Sequence, residues 1–178
     1  NFAAIKTALL SREKIDRKRR SQARHGKQTI NVKIDRGGIR DIEFLVQCLQ
    51  RVYGGSEPWL RSGGTLFSLH KLHDKQHISG RDFHELTSAY TFLRHLEHRL
   101  QLRRGQQVHR LPNSPQELAV VQRAMEALMP ENSRVNDLVA LVSERMSAVA
   151  EIYHRIIFQQ QARKEFQPSD SEFRLQSK

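Results

Sequence analysis

The sequence predicts an all-α domain of about six helices with one short strand-like segment. Apolar residues recur at spacings of three and four along most of the chain, which is the period of one face of an α-helix. Glycine or proline stands near the ends of these stretches, and only residues 30–34 alternate between apolar and polar side chains. With 178 residues, the chain is long enough for one domain with a substantial buried core.

The first predicted helix covers residues 1–24 and ends before Gly26. It is strongly basic: residues 1–36 contain eleven Lys or Arg against three Asp or Glu, so +8 of the net charge of +11 lies there. Such a block suits an acidic or polyanionic partner, and equally a solvated helix face. We therefore expect a helical domain over residues 1–163, with a basic leading helix (1–26) and a helical core (27–163).

The remaining elements follow from periodicity and from end signals. The strand-like segment at 30–34 has no predicted partner strand, so we expect it to pair outside the chain or to run extended over helices. Trp59, in a turn-rich loop at 56–64, is expected to anchor that loop. Ser114, Pro115 and Glu117 form a clear helix start. The predicted helices after the leading one are 39–53, 65–77, 81–104, 115–128 and 133–163, followed by a flexible tail at 164–178.

Composition excludes several classes of protein. Cys48 is the single cysteine, so neither an intrachain disulfide nor a thiolate metal cluster is possible. No apolar run in the given sequence is long enough to span a membrane, and none has the form of a signal-peptide h-region. We expect a cytoplasmic protein without membrane contact. Because the chain begins without Met and apparently inside a helix, we also expect it to be a piece of a longer protein.

Recognisable catalytic chemistry is absent from the sequence. Metal-dependent nucleotidyl transfer needs carboxylates that share metal ions, as in an Asp-x-Asp on a strand. The nearest match, Asp41 and Glu43, falls on a predicted helix, where the two side chains lie about 200° apart around the axis. No P-loop or dinucleotide-binding fingerprint is present either. We predict no catalytic residue, no metal ligand and no bound cofactor in this chain.

Three histidines at spacings of three and four invite a metal hypothesis. His70, His73 and His77 would share one helix face, and His73-Asp74 resembles the His-Asp dyad of HD-domain phosphohydrolases. That fold needs further ligands from other helices, and none can be assigned here. We favour a polar, partly exposed helix face for these residues.

The stretch "KIDRGGIRDIEF" places two glycines and three basic residues around the start of a predicted helix. Free N–H groups and the helix dipole at such a start favour an anion, and glycine allows close approach. The alternative is a tight turn whose N–H groups are satisfied by Asp41 and Glu43. The candidate residues for contact with an anion, a nucleotide or a neighbouring domain are Lys33, Arg36, Gly37, Gly38, Arg40, Asp41 and Glu43.

Four segments, in order, resemble motifs of one enzyme family. They are "NVKIDRGGIRDIEFLVQCLQ", "GGSEPWLRSGGTLFSLHKL", "AYTFLRHLEHRLQ" and "QQVHRLP", and the resemblance extends over roughly residues 28–113. All four are similar to motifs of the glutamine synthetase adenylyltransferase family, bifunctional enzymes that attach AMP to glutamine synthetase and remove it. Asp35 departs from the pattern, because the family more often has a neutral residue there.

The resemblance implies a helical domain that follows a nucleotidyltransferase domain. The form Arg36-Gly37-Gly38-Ile39-Arg40 is more similar to the N-terminal, deadenylylating half of such enzymes. The family's Gly-Ser and Asp-x-Asp motifs lie upstream and are missing here, so the isolated chain is expected to be inactive. Implied partners are the adjacent nucleotidyltransferase domain, glutamine synthetase and a PII-type regulatory protein, and the full enzyme would use Mg²⁺ and ATP.

Two other functions remain compatible with the sequence. The net charge and the Arg17–Arg20 cluster suit a basic helical module that binds nucleic acid, although no DNA- or RNA-binding motif is recognisable. A scaffold that only positions a neighbouring domain is the third possibility.

Overall fold

The computed structural model describes residues 29–61, 63–104, 108–126 and 137–165. Within these ranges the chain forms α-helices and one short 3₁₀ helix, Pro58–Arg61, but no β-strand, so the predicted all-α fold is confirmed. The predicted leading helix at 1–26 lies outside the described residues. Of the predicted flexible tail at 164–178, residues 164–165 are helical, and residues 166–178 lie outside the described part of the chain. The helices are α1 (Ile39–Tyr53), α2 (Thr65–Asp74), α3 (Gly80–Arg104), α4 (Pro115–Glu126) and α5 (Leu138–Glu165).

The prediction of a strand-like segment at 30–34 is wrong beyond its first residues. Asn31 forms one isolated antiparallel bridge with Arg110, so its partner lies within the chain. From there the backbone turns, because the Asn31 side-chain oxygen accepts the N–H groups of Lys33 at 3.1 Å and Ile34 at 3.2 Å. An asparagine that hydrogen-bonds the backbone two or three residues ahead favours a turn over an extended strand.

Most helix ends agree with the predicted signals. Gly38 is the N-cap of α1 and Gly54 is its C-cap. The N–H of Asp82 donates to the Ser79 hydroxyl at 3.1 Å, so Ser79 caps the start of α3. The helix predicted at 65–77 instead ends at Asp74, and Gln76 adopts a left-handed conformation with φ 60°.

The core lies where α1 and α3 meet the other helices. α1 contacts α2, α3 and α5, while α3 contacts every other α-helix of the described chain. The loop between α1 and α2 is anchored by Leu60, which is fully buried, whereas Trp59 is 40% exposed; the expectation for Trp59 was therefore wrong. Fully buried large side chains include Ile39, Ile42, Leu45, Leu49, Leu60, Leu69, Leu72, Leu86, Leu93, Leu96 and Met125.

Candidate functional site

The glycine pair sits at a point of close backbone contact. Gly37 has φ 78°, a conformation that residues with a Cβ rarely adopt, and a Cβ added there would collide with the backbone carbonyl of Met146 on α5. A Cβ on Gly38 would lie 2.7 Å from the carbonyl oxygen of Val32 and 2.9 Å from those of Lys33 and Asp35. Both glycines are therefore required by the packing of the chain against itself.

The N–H groups at the start of α1 are satisfied by the chain itself. Ile39 donates to the Val32 carbonyl and Arg40 to the Lys33 carbonyl, both at 3.0 Å. Gly38 donates to the Asp35 carbonyl at 2.8 Å, and Gly37 donates to the Asp41 carboxylate at 2.6 Å. An external anion would therefore have to be held by side chains at this helix start, because these backbone donors are already in use.

The two aspartates of this stretch are structural. Asp41 is buried and accepts the N–H of Gly37, while Asp35 is buried and accepts the N–H of Asn31 at 2.9 Å. Asp35 therefore closes the turn that precedes α1, which gives its carboxylate a role inside the fold.

The arginines of the stretch point to different surroundings. Arg36 is exposed and lines a groove of about 400 Å³ with Ser143, Met146 and Ser147 of α5. Arg40 is also exposed, and its guanidinium lies over the Phe44 ring, 5.7 Å from the ring centroid. Both side chains keep contact with solvent.

Lys33 belongs to a cluster around a buried carboxylate, Glu97, whose side chain is 4% exposed. The Lys33 ammonium lies 3.2 Å from Glu97 Oε1, and Arg94 donates to Glu97 Oε2 at 2.6 Å. His109 Nδ1 lies 2.9 Å from Glu97 Oε1. Burial, together with the nearby Lys33 charge, lowers the pKa of His109 despite the opposing effect of Glu97. We call Lys33, Arg94, Glu97 and His109 the Glu97 cluster.

A second polar contact lies beside this cluster. The Tyr90 hydroxyl donates to Glu43 Oε1 at 3.2 Å and also hydrogen-bonds Thr65. Burial raises the pKa of Tyr90; Glu43 adds to this rise, while Thr65 and the Arg94 charge oppose it. Thr65, Glu43 and Tyr90 thus link α1, α2 and α3 next to Arg94.

Sequence reasoning predicted Lys33 and Glu43 as candidates but missed their partners. Arg94, Glu97 and His109 stand in the quoted segments "AYTFLRHLEHRLQ" and "QQVHRLP". Glu97 could have been found from the sequence, because it follows Leu93 by four residues and precedes Leu100 by three. This spacing places a carboxylate on the apolar stripe of α3, where it needs a partner. With Thr65 and Tyr90, polar residues from all four segments meet in one region.

The three histidines do not share a helix face. His77 lies beyond the end of α2, stacks on Tyr53 with ring centroids 3.7 Å apart, and approaches Glu57 at 2.7 Å. His70 and His73 both pack against the Phe83 ring, each with centroids 4.7 Å apart. Among the described residues, no group of three or more His, Cys, Asp or Glu could hold a metal ion.

A further ion pair joins α3 to α5. Arg155 binds the buried carboxylate of Asp82 through two nitrogens, at 2.6 and 3.2 Å. Burial alone would raise the pKa of Asp82, but the hydrogen bonds from Arg155 and Ser79 and the charges of Arg155 and Arg81 outweigh it and lower the pKa. This fork joins the two longest helices among the described residues.

A family model described as GlnD PII-uridylyltransferase matches residues 10–157, which is more than half of the chain. The chain belongs to this family. Curated relatives carry one name, bifunctional glutamine synthetase adenylyltransferase/adenylyl-removing enzyme. The protein of Nitrosomonas europaea is 45% identical over 95 residues, which is 53% of this chain and 10% of that protein. The protein of Bordetella pertussis is 39% identical over 128 residues, or 70% of this chain and 14% of that protein.

These relatives confirm the resemblance to glutamine synthetase adenylyltransferases. The protein of Corynebacterium glutamicum, 48% identical over 81 residues, covers 46% of this chain and 8% of its own length. The chain therefore spans about a tenth of the length of the curated relatives that it matches. In the part of the chain that the structure describes, no helix is long and apolar enough to cross a membrane.

Proposed function

We propose that this chain is a helical accessory domain of a glutamine synthetase adenylyltransferase/adenylyl-removing enzyme. In this role it packs on an adjacent nucleotidyltransferase domain of the same enzyme. The observation that carries the proposal is the convergence of polar residues from four family-like segments in one region, around Glu97 and Tyr90. A domain that served only as a spacer would have no need of such a partly exposed polar cluster.

The contact face of the domain consists of Lys33, Arg36, Arg40 and Glu43, with Gly37, Gly38 and Asp41 as its internal support. Lys33, Arg36 and Arg40 bring three positive charges around one turn and helix start. The buried Asp41 and the two glycines hold that turn in shape. The arginines are assigned to the contact face because they are exposed, and the glycines to its internal support because they are buried.

The reaction itself is assigned to residues outside this chain. The full enzyme would transfer AMP from ATP to glutamine synthetase with Mg²⁺ and would remove it again, in the cytoplasm and under a PII-type regulator. The form Arg36-Gly37-Gly38-Ile39-Arg40 favours the N-terminal, deadenylylating half. Within the described residues, Asp41 is buried and Glu43 bonds to Tyr90, so neither is arranged to bind a metal ion together with the other.

The direct test incubates the purified chain with ATP, Mg²⁺ and glutamine synthetase and measures the mass of the synthetase subunit. We expect a folded, mostly helical chain by circular dichroism and no added AMP. The longer enzyme that contains the domain serves as the positive control. Robust AMP transfer by the chain alone would overturn the assignment of the catalytic groups to another domain.

A second candidate function, nucleic-acid binding, is favoured by one surface feature. Trp59 and Phe67 are exposed, and the Lys71 ammonium lies 5.6 Å from the first ring centroid and 4.5 Å from the second. Exposed aromatic rings beside cations are typical of single-strand binding surfaces. Retention on single-stranded DNA at rising salt tests it, because binding through several phosphates falls steeply with salt. Strong retention that is lost in Trp59→Ala would support nucleic-acid binding. We expect weak retention that is unchanged by Trp59→Ala, which would oppose it.

A further inference from the structure

The Glu97 cluster holds more positive than negative charge at the surface. Lys33 and Arg94 are two basic side chains, whereas Glu97 supplies one carboxylate. The adjoining carboxylate, Glu43, accepts the hydrogen bond of Tyr90. The side chains of Lys33 and Arg94 are 31% and 49% exposed, so both cations face solvent while Glu97 lies beneath them.

The buried carboxylate fixes where the two cations lie. A carboxylate taken out of water is costly unless it is paired, and here each oxygen of Glu97 has its own cation, Lys33 at 3.2 Å and Arg94 at 2.6 Å. Lys33 comes from the turn before α1 and Arg94 from α3, so the carboxylate joins two separate parts of the chain. A lysine held by a buried glutamate in this way is also how protein kinases orient a cation toward phosphates.

Each cation keeps donors beyond those that Glu97 occupies. An ammonium has three N–H donors and a guanidinium has five. The contacts with Glu97 use one nitrogen of each side chain. A phosphate group has several acceptor oxygens and can bridge an ammonium and a guanidinium that are held side by side.

We infer that Lys33 and Arg94, positioned by Glu97, form a binding site for the phosphate group of a nucleotide. The inference rests on the proposed function, because ATP and the AMP attached to glutamine synthetase would both bring a phosphate to this domain. It places the anion contact on the Glu97 cluster rather than on the backbone N–H groups at the start of α1. Glu97 acts as a positioning residue, and His109 Nδ1 lies 2.9 Å from its Oε1 atom.

The test titrates the ¹⁵N-labelled chain with AMP, inorganic pyrophosphate or adenosine, without divalent ions, and follows amide chemical shifts. We expect AMP and pyrophosphate to shift the amides of Lys33, Arg94 and His109 at millimolar concentrations, and adenosine to leave them unchanged. Equal shifts with adenosine, or no shifts with either phosphate, would overturn the site.

Variants then separate a built site from a diffuse positive surface. We expect Lys33→Ala and Arg94→Ala each to weaken pyrophosphate binding about tenfold, since each removes a charge-assisted hydrogen bond. Arg123→Ala, which removes an exposed arginine from α4, is the matched control and leaves binding unchanged. Equal effects of Arg94→Ala and Arg123→Ala would show that only net charge matters and would contradict the inference.

Glu97→Gln tests the positioning role. If only net charge mattered, removing a carboxylate would strengthen pyrophosphate binding; if Glu97 positions the cations, binding weakens by about the same tenfold as for Arg94→Ala. Urea unfolding of each variant checks that it is folded, so that a loss of binding is not mistaken for a loss of structure. Tighter binding by a folded Glu97→Gln variant would overturn the positioning role.

The two proposals fail separately. If the longer enzyme transfers and removes AMP but the Glu97 cluster does not respond to phosphate, the inference is wrong and the proposed function stands. If the cluster binds phosphate but the longer enzyme does not act on glutamine synthetase, the proposed function is wrong and the site stands.

Discussion

Replacing Gly37 with alanine tests whether the glycine pair is a packing requirement of the fold. The left-handed conformation of this residue, φ 78°, costs a non-glycine residue about 1–2 kcal/mol. The new methyl group would also collide with the Met146 backbone, and overpacking of this kind costs about 1–3 kcal/mol. Since α5 or the turn must shift to make room, we expect Gly37→Ala to lower the free energy of unfolding by about 2–5 kcal/mol.

The assay is urea unfolding followed by circular dichroism at 222 nm, the helix signal, with thermal melting as a second measurement. A loss of about 3 kcal/mol lowers the melting temperature of a domain of this size by about 6–12 °C. Gly55→Ala is the matched control, because a Cβ at that position meets nothing within 4 Å, and its effect should stay within about 0.5 kcal/mol. Equal unfolding midpoints for the two variants would refute the packing argument.

Three further predictions concern single contacts. The pKa of Asp82 is lower in the folded chain than in the unfolded chain, so its pairing with Arg155 stabilises the fold fully above the unfolded pKa of about 3.9. This stabilisation is lost as pH falls through the folded pKa. In Asp82→Asn, the free energy of unfolding, measured by urea unfolding, should therefore fall less steeply at acid pH. Tyr53→Phe removes the hydroxyl that bonds the buried Gln160 side chain at 3.0 Å and should cost about 1 kcal/mol in the same assay, whereas an unchanged midpoint would contradict a structural role. Burial raises the pKa of the Cys48 thiol, so alkylation by iodoacetamide should be slow in the native chain and fast in urea; equal rates would show that the thiol is accessible.

The helices were predictable because their signals are local. Spacing along the chain shows which residues face inward, and Gly38, Gly54 and Ser79 act on the adjacent turn alone. The segment at 30–34 was not predictable in this way, because the Asn31 side chain competes with strand hydrogen bonds for the backbone. Trp59 and Leu60 are neighbours in sequence, and only the tertiary fold decides which of them is buried.

The candidate site was likewise predictable only where its signals are local. Lys33 and Glu43 were found because they lie in a charged stretch beside the glycine pair. Their partners Glu97 and Tyr90 lie on α3, roughly fifty to sixty-five residues further along, and no local pattern gives such a pairing. The use of the α1 N–H groups by carbonyls of residues 32–35 also depends on the path of the preceding turn, which the sequence pattern did not contain.

The central claim is that this helical domain contributes Lys33 and Arg94 to adenylyl transfer or removal by a longer enzyme. The most direct measurement compares the rates of both reactions, AMP attachment to glutamine synthetase and AMP removal, for Lys33→Ala, Arg94→Ala and the Arg123→Ala control in that enzyme. We expect a loss of about tenfold or more in at least one direction for the first two variants, measured at a temperature where both remain folded, and unaltered rates for the control. Wild-type rates in both directions for Lys33→Ala and Arg94→Ala would contradict it.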